Sequence, residues 1–159
     1  MPNTKPVGVA FSDPELTSGT TVSGAVIDNS TIGATTPAIV VGTTVYATTE
    51  IGYTAEASGT VTQLTDKSTG VTLNKSAGQI TLNNAALANV TNVSFTLTNN
   101  TISAKDVIIL SVSSGATAGA YNCWISSKTT GSCTITIRNL SGGSLSEAFV
   151  LNFAVIHVQ

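Results

Sequence analysis

Charge is what this sequence has least of. Charged residues make up 9% of the chain, against about 25% in ordinary soluble domains. Six Lys and Arg against eight Asp and Glu leave a net charge of −2. The six cations are scattered, so no basic face exists to hold a nucleic acid backbone. Two Cys and one His narrow the chemistry further, because two thiols without a third cysteine or a neighbouring histidine fall short of a zinc ligand set. The eight carboxylates form neither an acid/base couple nor a calcium loop, and no glycine-rich loop with lysine offers a phosphate cradle. No run approaches the ~18 apolar residues of a membrane span. The opening residues, MPNTKPVGVAF, lack the apolar core of a secretory signal. The expectation is a protein that is not an enzyme, with no catalytic, cofactor or metal residues and no nucleic acid or membrane partner.

What the chain has instead is hydroxyl groups and small residues: 27 Thr, 18 Ser and 14 Gly, with 42% hydrophobic residues. Thr favours strands, while Asn, Gly and Ser supply turns. Low charge and a mean hydropathy of +0.32 fit a protein whose surface is largely taken up by neighbours. A robust monomer with a threonine-rich coat fits the same composition. Asn-x-Ser/Thr triplets, Asn139 among them, are expected by chance in a chain this rich in Asn and Thr.

Residues 1–20 hold three of the four prolines, which suit extended backbone rather than helix. Val7, Val9 and Phe11 alternate with small residues, as in a strand added to another surface or in a frayed terminus. Residues 17–37 carry too few large apolar groups to offset their ordering entropy alone, so they read as a linker or as a segment wound against copies or a partner. Ala38–Tyr53 supports one or two strands anchored by Tyr46 and Tyr53. Ala55–Gly59 reads as a joint, dividing an arm (1–58) from a knob (59–159).

Beyond the joint, short alternating segments recur with turn clusters between them. They are Thr60–Thr65, Gly70–Leu73, Gln79–Leu82, Val93–Thr98, Val107–Val112, Ala120–Ser126, Cys133–Arg138 and Ser146–Val158. Eight strands at this spacing predict an all-β fold: a C-terminal β-sandwich or jelly-roll-like knob with an extended N-terminal arm. Asn83–Asn92 lacks alternation and reads as a single helical turn.

The final segment, SEAFVLNFAVIHV, organises the rest. One row is Phe149, Leu151, Phe153, Val155 and His157; the other is Val150, Asn152, Ala154, Ile156 and Val158. Neither row is polar, so both faces should be covered, one by the opposing sheet and one by the arm, another subunit, or both. The expected interface residues are Val7, Val9, Phe11, Phe149, Leu151, Phe153 and Val155. Val107–Leu110 is apolar on both rows too and should lie beside the final strand, in the middle of the assembly. Cys123 and Cys133 face each other if their hairpin is centred near Lys128; otherwise they are two small buried apolar groups. His157, with no nucleophile motif around any serine, reads as packing or an interface hydrogen bond. Trp124, with Tyr121 nearby, reads as packing or as a sugar-stacking platform.

The segments KPVGVAFSDPEL (5–16), GAVIDNSTIGATTP (24–37), STGVTLNKSAGQITLNNAAL (68–87), SFTLTN (94–99), GAYNCWIS (119–126) and IRNLSGGSLSEAFVLNFAVI (137–156) resemble virion structural proteins of tailed bacteriophages. The C-terminal module is similar to one that recurs in head-decoration (cement) proteins and in fibre-type proteins. The resemblance implies a homotrimeric β-rich knob, made in the bacterial host cytoplasm and fastened to the virion. Its partner would be the major capsid protein of the head, with a glycan-binding tail fibre or tailspike module as the alternative. It brings no catalytic motif.

Overall fold

The computed structural model describes residues 41–158; the expected arm residues Val7, Val9 and Phe11 lie outside them. The chain divides into two units, residues 1–46 and 47–159. Residues just ahead of the first strand are tied to the sandwich by hydrogen bonds. The Tyr53 hydroxyl donates to the Val155 carbonyl, and Lys75 Nζ donates to the Glu56 carbonyl at 2.6 Å. Ala55–Ala57 forms a single 3₁₀ turn.

Eight strands follow: β1 (Ser58–Thr62), β2 (Val71–Thr72), β3 (Ala77–Thr81), β4 (Asn92–Thr98), β5 (Val107–Ser114), β6 (Tyr121–Thr129), β7 (Ser132–Asn139) and β8 (Val150–Ile156). Each corresponds to one of the eight segments expected from alternation. They form two four-stranded sheets, in the orders β1-β3-β8-β5 and β2-β4-β7-β6. The fold is all-β, as expected. Both sheets are mixed, because β1 runs parallel to β3 and β2 parallel to β4. No helical turn forms over residues 83–92. Leu87 makes an isolated antiparallel bridge with Leu145 instead.

Alternation places the core. In β4, Phe95 and Leu97 point inward while the threonines beside them stay exposed. Ile80 and Leu82 meet Leu151, Phe153 and Val155 of the first sheet, and Phe95, Leu97, Ile135 and Ile137 of the second, in one cluster. Each such side chain contributes about 1.5–3 kcal/mol on leaving water, so the facing rows account for most of the drive to form a two-sheet sandwich.

The β6–β7 hairpin turns later than the cysteine reading required. Thr129 pairs with Ser132, and a bulge intervenes between Ile125 and Ser127. Gly131 takes the positive φ, 83°, that this tight turn needs. Cys123 therefore opposes Ile137, and Cys133 opposes Lys128. The two thiols are free.

Candidate functional site

The rows of β8 separate cleanly. Phe149, Leu151, Phe153 and Val155, expected at an interface, are 0–3% exposed within the chain's own core. This corrects the sequence reading: the opposing sheet consumes that whole row, leaving it nothing to offer a partner. The other row faces outward. His157 does not continue the buried row; its side chain is 43% exposed.

Register defines what the outward face carries. Val107 pairs with Ile156 and Ile109 with Ala154, while the inward residues Ile108 and Leu110 pair with Val155 and Phe153. This confirms β5 as the neighbour of the final strand. The outer face of the first sheet is polar over β1 and β3, with Thr60 and Gln79 in register. Beyond the Ser111–Asn152 pair, over the end of β8 and the start of β5, it turns apolar. Val107, Ile109 and Ile156 are each about half exposed, at 52%, 51% and 50%. Ile51, Gly52 and Tyr53 lie near Ala154, Ile156 and His157, and the six line a groove of about 730 Å³. Among the described residues β5 is also the end strand of its sheet, and no described strand pairs with its outer backbone edge.

The outer face of the second sheet differs. Across it, Ser94 and Thr136 share a hydrogen bond of 2.7 Å, Thr136 donates to Ser126 at 2.8 Å, and Ser127 donates to Thr134 at 3.0 Å. Trp124 stands opposite Thr136, with Asn122 opposite Arg138, so the single indole and the guanidinium are diagonal neighbours among hydroxyls. Arg138 Nε is buried without a partner.

At the end of the first sheet, next to the groove, three distant residues converge. His157 Nδ1 lies 3.0 Å from Asp106 Oδ2, and His157 Nε2 lies 3.3 Å from Ser76 Oγ. Asp106 is 1% exposed. Its carboxylate also accepts from the Ser103 N–H (2.8 Å) and hydroxyl (2.7 Å) and from the Val158 N–H (3.0 Å). The Ser103 bonds, with those from Val158 and His157, hold its pKa well below the usual carboxylate range. An ionised Asp106 accepts from His157 Nδ1, which turns Nε2 toward Ser76. No sequence signal gathers these residues, since Ser76 and Asp106 come from the starts of β3 and β5 and His157 follows β8. Comparison of the chain with protein-family models, with curated proteins and with solved structures finds no match.

Proposed function

We propose that the chain is a virion structural protein of the tailed-phage type, a decoration (cement) protein that coats the outside of a head as a homotrimer and braces the lattice. The observation that carries this reading is the outer face over β8 and β5. Val107, Ile109 and Ile156 stand half exposed, with no charged side chain between them in the register, beside the edge of β5 that no other described strand pairs. Such a patch belongs against another protein surface. Low charge over the whole chain supports the reading, as does the sequence resemblance. Binding energy is spread over many repeated contacts, each burying on the order of 1,500 Å², and no turnover is involved. In this scheme the arm (1–58) grips the major capsid protein. The test is sedimentation of the full chain, expected as a trimer, with capsid binding lost and the trimer kept when residues 1–35 are deleted. A monomer at micromolar concentration refutes it.

A second reading, a tail fibre or tailspike module that binds host surface glycan, is favoured by Trp124 among the hydroxyls of the second sheet, where an indole face can stack on a sugar ring. Glycan-array signals that vanish in Trp124→Ala would select it over the first.

A further inference from the structure

We propose that Ser76, His157 and Asp106 form a nucleophilic site for carboxylic esters with apolar acyl groups, the acyl chain lying in the groove that His157 shares with Ile51, Tyr53, Ala154 and Ile156. This activity goes beyond the structural role proposed above and does not depend on it.

Three features carry the inference. A serine hydroxyl is a weak nucleophile until a base takes its proton, and an imidazole nitrogen lies 3.3 Å from Ser76 Oγ, within hydrogen-bond reach. The base needs an orienting partner, and Asp106 supplies one at 3.0 Å from the opposite ring nitrogen. Three further donated hydrogen bonds immobilise that carboxylate. Asp106 is thus the positioning residue, and Ser76 and His157 are the catalytic pair. The third feature is the place. Ser76 and His157 are in part exposed, and the adjoining groove is walled by aliphatic and aromatic side chains suited to an acyl chain rather than to a charged group.

The chemistry closes without a cofactor. Ser76 Oγ bonds to the ester carbonyl carbon as its proton passes to His157 Nε2. The bond from that carbon to the alkoxy oxygen breaks, and the leaving oxygen takes the proton from His157 and departs as the alcohol. Water then adds to the acyl-serine, giving a proton to His157. The carboxylic acid leaves, and the proton returns to Ser76. The sum is ester plus water to acid plus alcohol.

The test treats the folded full-length chain with a fluorophosphonate probe, maps the adduct by mass spectrometry, and follows hydrolysis of p-nitrophenyl butyrate. The expected result is an adduct on Ser76. Labelling and hydrolysis should be absent in Ser76→Ala and reduced at least ~100-fold in His157→Gln, with both variants keeping the wild-type circular dichroism spectrum. A merely structural clasp would not make Ser76 reactive. An unlabelled Ser76 in the folded protein overturns the proposal. So does labelling that persists at the wild-type rate in His157→Gln, or hydrolysis unchanged in Ser76→Ala.

Discussion

The Lys67 ammonium donates to the main-chain carbonyl of Glu147 at 2.7 Å, from a residue that is 3% exposed. It donates to the Asn83 carbonyl as well and sits 6.0 Å from the centre of the Phe149 ring. Burial draws its pKa down, and the Glu147 charge works against that shift. One cation thus ties together three loop segments that no strand pairing joins. Lys67→Ala leaves two carbonyls without their donor and opens a void, and should cost about 2–5 kcal/mol in chemical denaturation. Lys67→Met keeps the volume and removes a buried charge, so it should recover about half of that loss. Equal losses in the two variants would assign the whole effect to the hydrogen bonds.

Gly78 of β3 stands opposite Gly59 of β1. A Cβ there would meet the Gly59 carbonyl oxygen at 2.6 Å, Leu73 Cδ2 at 2.8 Å and Phe153 Cε1 at 3.1 Å. The nearest obstacle is backbone, so β1 must move. Gly78→Ala should cost about 2–4 kcal/mol. Gly142→Ala, with nothing within 4 Å of the added carbon, should stay within about 0.5 kcal/mol of wild type. Paired thermal melts decide it, and a silent Gly78→Ala would contradict the close approach.

Alternation made the strands legible, because Phe95, Leu97, Ile135 and Ile137 declare their face by the threonines between them. The parallel pairing of β1 with β3 was not legible, since it depends on which sheet each strand joins rather than on any local pattern. The apolar second row of β8 was visible in the sequence, but which row fills the core was not: Phe149, Leu151, Phe153 and Val155 are buried, and the other row faces outward. The polar anchors escaped notice for a different reason. Asn139 Oδ1 accepts from the Ser141 N–H at 2.8 Å and from its hydroxyl at 2.7 Å, while Asn139 Nδ2 reaches the Leu87 carbonyl at 2.8 Å. A triplet that composition makes commonplace is here a buried turn. Ser76, Asp106 and His157 are gathered by topology alone, and single residues so far apart leave no motif.

Alkaline pH should loosen the sandwich through its two thiols. Burial pushes Cys123 and Cys133 up to about 11, whereas an unfolded thiol ionises near ~8.5. Between these values the folded chain keeps protons that the unfolded chain releases, so stability falls as pH rises through the window. The melting temperature of wild type should drop across that range, and Cys123→Ala/Cys133→Ala should drop less. Comparing the two slopes removes the contribution of Lys67, which both proteins share. Identical slopes would refute the assignment.

Acid should act through Asp106. Its folded pKa is depressed, so its stabilisation is present above the ordinary aspartate value of ~3.9 and is lost as pH falls below it. Asp106→Asn keeps the shape but not the charge. It should be less stable than wild type at neutral pH, with the gap closing as acid is added. Urea midpoints measured along that titration test it, and a gap that stays constant with pH would mean the carboxylate's charge contributes nothing.

The outward face over β8 and β5 should govern assembly without governing folding. Ile109 is 51% exposed and directly opposes Ala154, so a lysine there keeps its ammonium in water and disturbs the core little. In an assembled form the same ammonium would be stripped of water at an apolar contact with no carboxylate opposite, a cost of several kcal/mol. Ile109→Lys should therefore melt close to wild type, within about 0.5–1 kcal/mol, yet sediment as a monomer under conditions where the proposed function expects wild type to sediment as a trimer. Thr96→Lys is the control, because Thr96 is exposed on the outer face of the other sheet. It should leave the sedimentation coefficient unchanged. If Thr96→Lys dissociates the oligomer while Ile109→Lys does not, the hydroxyl face is the interface and the apolar patch has some other occupant.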